Sequence, residues 1–446
     1  MEFYAHIFFV RVQSDNLMLT LHFQLDPINR KRNLIFRQMD DHTVTIRAHF
    51  PALHQMVYGK PLVYLDNAAT SQKPLSVLSL LSEMEGKTNG NIHRAVHHLS
   101  AKCTDLYETA RKRVSRFIGA ENEHEVIFTS GATASINLVA FSFAEKYVKH
   151  GDVILVGEAE HHSNIVPWQL LCARKGAYLK VLPIDEDGKL LLESLPQLLD
   201  ERVRLVAVSH IGNVLGLINP VKEIVRIAHE RDIPVLIDGA QGVVHKSVDV
   251  VDLNCDFYLF SGHKLFGPTG TGILYGKERW LEEMPPWQGG GEMIKSVSFQ
   301  DTKYASLPLK FEAGTPNFIG QIGLGAAIEY LESIDRIAVE KYLQTISQIG
   351  MDLLQKIEGL KIYGVGECSK IPLFSFSVSG VHANDMALLL DKMGFAVRSG
   401  QMCAEPLLTK FGETSLLRAS FSIYNTQEEL FRFEEALQKV LTILRE

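Results

Sequence analysis

Lys264 and Cys403 are the two side chains of this 446-residue chain around which chemistry is most readily built. Lys264 lies in the stretch FYLFSGHKLFGPTGTG, residues 257–272. The apolar run Phe257-Tyr258-Leu259-Phe260 reads as a buried strand end, and Ser261-Gly262 breaks it. Glycines at 262, 267, 270 and 272 then let the backbone turn tightly and approach a ligand. An unpaired ammonium at a buried strand end is costly. A lowered pKa or conversion of the amine into an imine relieves that cost. Taken alone, a solvated surface lysine is the simpler account. Cys403 stands in Arg398-Ser399-Gly400-Gln401-Met402-Cys403-Ala404. A free thiol with a pKa near ~8.5 is only about 3% thiolate at pH 7, and a nearby positive charge raises that fraction. Cys103, Cys172, Cys255 and Cys368 sit in amphipathic surroundings and read as buried structural residues.

The elements that must position these groups alternate regularly. Val126-Ile127-Phe128, Val153–Val156, Tyr178–Leu182, Leu205–Val208 and Val235-Leu236-Ile237 read as short apolar strands. Helical patterns separate them over Ala134–Val148, Ser163–Lys175 and Val221–Arg231, the last with Asn219 as its cap. This order predicts an α/β fold whose mostly parallel sheet is covered on both faces. Val44–Met56 reads as a helix and 61–66 as a strand. After Gly314 the pattern becomes long helices, Ile322–Ile334 and Val339–Ile357, then strand-like runs and a terminal helix from Thr426. The expected organisation is an extension over 1–38, an N-terminal segment over 39–60 packing on the small domain, a large domain over 61–320 and a smaller α+β domain over 321–446. The extension is expected to be disordered or not native, the working protein starting at Met39; a transit peptide is the alternative.

Ligands of such sheets bind beyond the carboxyl ends of the strands. Those ends deliver Ser130-Gly131-Ala132-Thr133, then Glu160-His161-His162-Ser163-Asn164, His210-Ile211-Gly212-Asn213, Asp238-Gly239-Ala240-Gln241, and finally Ser261, His263 and Lys264. Each has a plain reading as a capping turn, a solvated ring or a paired carboxylate. Together they offer a ring to stack, an acid for a pyridinium nitrogen, donors for a phosphate and an amine that forms an imine. That set is what pyridoxal 5'-phosphate (PLP) requires. GPTGTG lacks the Gly-Lys-Ser/Thr of a nucleotide loop. His93 and His97 have helical metal-pair spacing but no Glu or Cys completes a set, so no metal is expected.

Composition excludes other classes. The net charge of -7 and the absence of a long basic run argue against nucleic-acid binding. Five scattered cysteines without a CxxC pair argue for a reducing compartment, and no apolar stretch is long enough to span a bilayer. The expected location is cytoplasmic.

The motifs LDNAAT (65–70), EHHSNIVPW (160–168), DGAQ (238–241), SGHKLFGPTGTG (261–272), FEAGTPN (311–317) and RSGQMCA (398–404) carry a resemblance from about Asp40 onward. The chain resembles a group II, Suf-type cysteine desulfurase, a class V aminotransferase-like, fold-type I PLP enzyme with a seven-stranded sheet. The resemblance implies that Lys264 bonds the cofactor and moves the Cα proton, and that His161 stacks on the ring and assists proton transfer. It assigns Asp238 to the pyridinium nitrogen, Gln241 to the ring oxygen, and Thr133, Ser261 and His263 to the phosphate. Thr315 would reach over from the second subunit of a homodimer. Asn213 and Arg418 would bind the substrate carboxylate, with Arg398 nearby. Cys403 would take sulfur from L-cysteine as a persulfide, releasing L-alanine, for a sulfur-acceptor protein of iron–sulfur cluster assembly. Selenocysteine is a related substrate, and a selenocysteine lyase or other PLP β-lyase is the alternative activity. The segment Glu283–Val297 reads equally as a hairpin at the dimer edge or as a surface loop. Where many relatives carry histidines, this chain has Gln401 and Met402, and Ala134-Ser135 replace a common acidic residue.

Overall fold

The structure, a computed structural model, describes residues 43–365 and 369–446. The extension over 1–38, the expected start at Met39 and Cys368 lie outside the described residues. Seven strands form the main sheet: β1 (Val126–Thr129), β2 (Val153–Gly157), β3 (Tyr178–Leu182), β4 (Val203–Ser209), β5 (Val235–Asp238), β6 (Phe257–Ser261) and β7 (Gly272–Gly276). Their order across the sheet is β1-β7-β6-β5-β4-β2-β3. β7 runs antiparallel to both neighbours and the other pairings are parallel, so six carboxyl ends share one edge.

Alternation along these strands feeds two cores. Val126, Phe128, Val206, Val208, Tyr258 and Phe260 face one, while Ile127, Leu205, Ala207, Phe257 and Leu259 face the other. Helices Ala132–Tyr147 and Val166–Lys175 cover the second face. With both faces buried, the strands read as nearly continuous apolar runs, which is why the alternation was visible in the sequence.

A second sheet is antiparallel, with β8 (Leu360–Tyr363), β9 (Leu373–Val378), β10 (Arg398–Gly400) and β11 (Leu416–Ser420) in the order β8-β9-β11-β10. Helices Arg336–Leu354, Ala383–Lys392 and Gln427–Arg445 bury their apolar faces against it. Thr426 caps the last helix in a reciprocal box with Glu429.

Several local expectations change. The stretch expected as one helix over Val44–Met56 is a helix over 43–48 followed by a 3-10 turn, Pro51–His54, because Pro51 cannot continue the ladder. Val63–Tyr64 pairs in parallel with Phe395–Ala396 instead of joining the main sheet. Helix Phe318–Glu332 packs on His98–Phe117 and Leu75–Lys87, on the side of the main sheet and not with the second sheet. Helix Val221–His229 is capped at Pro220, since the Asn219 amide donates to the Ser209 carbonyl instead. The hairpin lies at Ile294–Val297 and Thr302–Tyr304, beyond most of Glu283–Val297.

Candidate active site

Strand ends and one distant loop converge on a cavity of about 210 Å³. Thr133, His161, Asn213, Asp238, Gln241, Ser261, His263, Lys264, Arg398, Cys403 and Arg418 all line it, so every expected site residue except Thr315 is brought together. Thr315 is exposed and does not line the cavity of its own chain. A larger cavity of about 500 Å³ lies beside helix Arg336–Leu354. Its cations are already engaged, Lys246 with Glu340 and Lys370 with the Tyr363 and Gly364 carbonyls.

One end of the smaller cavity is built for an anion. Helix Ala132–Tyr147 starts at Gly131, whose φ is 152° and which has no side chain of its own to cap the first turn. A Cβ on Gly272 would meet the Gly131 Cα at 2.3 Å, so glycine there is what lets β7 pass the loop. Thr133, Ser261 and His263 surround this helix start, and its unsatisfied N–H groups and dipole favour a phosphate. Ser261 Oγ accepts from the Ala132 amide at 2.8 Å, and Thr133 Oγ1 lies 2.8 Å from Ser163 Oγ.

The other end holds an acid. Asp238 closes β5, is buried, and accepts from the Ala240 amide at 2.9 Å. Burial pushes its pKa up, while that hydrogen bond and the Lys264 charge pull it down. Gly239 must follow it, because a Cβ there would meet the Tyr258 ring at 2.1 Å. Gln241 donates its amide to the Ala68 carbonyl at 2.8 Å.

Lys264 lines the same cavity. Burial lowers its pKa to about 8; the Asp238 charge opposes that shift, and Arg418 and Arg398 reinforce it. His161 is lowered to about 4, first by burial and then by Lys264 and other cations. Its Nδ1 accepts from the Ser163 amide at 3.0 Å, so the ring is neutral with its proton on Nε2. An acid for a ring nitrogen, a flat neutral ring, an amine of lowered pKa and an uncapped helix start fit PLP residue by residue.

Arg418, buried on β11, donates from Nη1 to the Asn213 carbonyl at 2.8 Å and from Nη2 to Asp66 Oδ1 at 3.1 Å; its Nε has no partner. Arg398 Nη1 approaches Asp66 Oδ2 at 4.0 Å. The Asn213 amide, expected to meet a substrate carboxylate, donates to the Met402 carbonyl at 2.8 Å. Cys403 is exposed, whereas Cys103, Cys172 and Cys255 are buried, as their amphipathic contexts implied.

His93 is not paired with His97. It lies between Glu292 and Glu108, each at 3.1 Å, and His97 caps a helix through Ser100. Among the described residues no His, Cys, Asp and Glu group could hold a metal ion. Nor is any helix among them long and apolar enough to cross a membrane.

Sequence reasoning gave no role to Asp66, Glu160 or His162. Buried Glu160 accepts from the Ser209 amide at 2.9 Å and from Asn164 Nδ2 at 2.7 Å, rooting the loop that carries His161. Asp66 and Glu160 each follow an apolar strand-like stretch inside a quoted motif, which was the available signal.

The aminotransferase class-V family model matches residues 63–433. A cysteine desulfurase of Shigella flexneri is 46% identical over 400 residues, covering 90% of this chain and 98% of that protein. A probable cysteine desulfurase of Vibrio cholerae is also 46% identical, with 90% and 98% covered. Among solved structures, the cysteine desulfurase CsdA of Escherichia coli superposes with a TM-score of 0.84 at 39% identity, covering 90% of this chain and 98% of its own. That of Thermococcus onnurineus gives 0.82 at 36% identity, covering 88% and 98%. The chain belongs to the PLP-dependent aminotransferase class-V family and, within it, to the cysteine desulfurases.

Proposed function

We propose that this chain takes sulfur from L-cysteine, releases L-alanine and holds the sulfur as a persulfide on Cys403. The observation that carries this reading is an exposed thiol lining the same cavity as Lys264 and Asp238, from a loop far along the chain. A PLP lysine serves many reactions; the thiol selects sulfur transfer.

In this reading Lys264 would bond the cofactor, Asp238 would pair with its ring nitrogen, Gln241 would bond its ring oxygen, and neutral His161 would stack on it. Thr133, Ser261 and His263 would hold its phosphate, joined by Thr315 from a second subunit. PLP supplies a sink for the electron pair left at the substrate Cα when its proton departs. Arg418 and Asn213 orient the substrate carboxylate, with Arg398 nearby. The Lys264 amine takes the Cα proton, which its lowered pKa favours near neutral pH. The Cys403 thiolate attacks the substrate sulfur. The sulfur–Cβ bond breaks, its pair stays on Cβ, and protonation there yields alanine. Both sulfurs end one step more oxidised, the substrate carbon is correspondingly reduced, and no outside oxidant is needed.

Arg398 and Arg418 line the same cavity as the thiol. The surrounding reading is of a cytoplasmic, Suf-type homodimer that passes its persulfide to an acceptor protein for iron–sulfur cluster assembly. The test is mass spectrometry after incubation with L-cysteine: a gain of one sulfur confined to the Cys403 peptide is expected. Sulfide release unchanged in Cys403→Ala would overturn persulfide chemistry and favour a β-lyase.

A further inference from the structure

The loop that carries the thiol is strained. Met402 and Cys403 both adopt left-handed backbone conformations, φ 53° and 55°, although neither is glycine. Such a conformation is unfavourable for a residue with a Cβ and persists only where its surroundings hold it. The holds here come from two strand-end loops of the main sheet. The Met402 carbonyl accepts from Asn213 Nδ2 at 2.8 Å, and the Cys403 carbonyl accepts from the His162 amide at 2.7 Å. Two residues on, the Glu405 amide donates to His162 Nε2 at 3.0 Å.

From this geometry we infer that His162 is a positioning residue for the Cys403 thiol, its ring nitrogen fixing the loop in the strained conformation that faces the cavity. This rests on the persulfide reading above. His162 follows His161, and Ser163 donates to the His161 ring, so one short turn sets both the stacking ring and the reach of the thiol. Because a backbone amide can only donate, Nε2 must be unprotonated, and a neutral ring carries its proton on Nδ1. The residue therefore acts as an acceptor, and a side chain that accepts at the same reach can replace it.

The test compares His162→Ala and His162→Gln holoenzymes. Alanine keeps the main-chain bond to Cys403 but loses the acceptor for Glu405; glutamine returns an amide oxygen at similar reach. In His162→Ala, hydrogen exchange of the peptide bearing Glu405 should accelerate. Persulfide formation on Cys403 should slow roughly five- to ten-fold, the scale of one neutral hydrogen bond. The KM for L-cysteine and the cofactor absorbance should stay near wild type, and His162→Gln should recover both rates. Unchanged exchange or unchanged persulfide formation in His162→Ala would overturn the inference, as would a glutamine variant as slow as alanine. A wild-type holoenzyme that never gains sulfur on Cys403 would sink the persulfide reading instead, while exchange at Glu405 would still report whether His162 holds the loop.

Discussion

Arg418 Nη2 donates to Asp66 Oδ1 at 3.1 Å, so the guanidinium proposed to receive a substrate carboxylate already holds a carboxylate of its own chain. Arg418 is 2% exposed and Asp66 23%, which makes the pair stronger than a surface ion pair. An incoming carboxylate must share the cation with Asp66. Asp66→Asn keeps an acceptor oxygen and removes the competing charge. It should lower the KM for L-cysteine about three- to ten-fold, about 1 kcal/mol of recovered attraction. Asp66→Ala removes the acceptor as well and should raise KM by letting Arg418 turn. Alanine release measured against cysteine concentration decides between them. An unchanged KM in the Asn variant would mean that Asp66 and substrate do not compete.

Lys264 sets a pH dependence that a solvent lysine would not. Burial brings it down to about 8, against an ordinary value of 10.5. Only the free amine attacks the cofactor aldehyde. With a pKa near 8 about a tenth is free at pH 7, against well under a thousandth for an ordinary lysine. The rate of PLP uptake by the cofactor-free protein should therefore climb about tenfold per pH unit below 8 and level off above it. The linkage sign agrees: between about 8 and 10.5 the unfolded chain binds the extra proton, so this lysine's contribution to stability rises with pH across that window. Stopped-flow absorbance gives the uptake profile. A rate still climbing at pH 10 would mean the amine is solvated.

The strand ends were legible in the sequence because both faces of the main sheet are buried and its strands are short apolar runs with polar stops. Lys264, Asp238 and His161 each follow such a stop, so their convergence could be inferred from one rule about parallel sheets. Side-chain ties across hundreds of residues could not. Asn213 gives its amide to Met402, and Asp66 bridges toward Arg398 and Arg418; nothing in local spacing forecasts either bond. The short pairing of Val63–Tyr64 with Phe395–Ala396 was hidden for the same reason, since a two-residue strand has no period to read. The 294–304 hairpin lies beyond most of the segment expected to form one, since its second strand, Thr302–Tyr304, is too short to show a period.

Glu160 makes a prediction about hydrogen-bond sense. Its Oε1 accepts from the Ser209 amide and hydroxyl, and its Oε2 from Asn164 Nδ2. The Asn164 amide cannot flip freely, because its Oδ1 accepts from the Trp168 indole at 3.0 Å. In Glu160→Gln the new NH2 must face one of two fixed donors. The cost of a buried unmatched donor is about 1–3 kcal/mol. Denaturant unfolding should show that loss, and the circular dichroism of bound PLP should change as the His161 loop shifts. Glu160→Gln with wild-type stability would mean the site rearranges around it.

Thr315 lies in a loop pinned at both ends. Glu312 accepts from buried Arg111 at 2.7 and 2.9 Å, and Asn317 Nδ2 donates to the Gly270 carbonyl at 3.1 Å. Breaking the buried Arg111–Glu312 pair would cost several kcal/mol, so the loop is a rigid platform and not a free segment. It presents Thr315 outward, away from the cavity lining of its own chain. If a second subunit receives it, defects must cross between chains. Lys264→Ala and Thr315→Ala homodimers should both be weak in desulfuration. Mixed and allowed to exchange, they should form heterodimers in which one site has both defects and the other has neither. Activity should then recover toward a quarter of wild type at equal mixing, because half of the dimers carry one intact site. Separate tags on the two variants allow the heterodimer to be purified and assayed directly. Recovery absent from a purified heterodimer would mean that Thr315 serves the cavity of its own chain, and that the site is complete within one subunit.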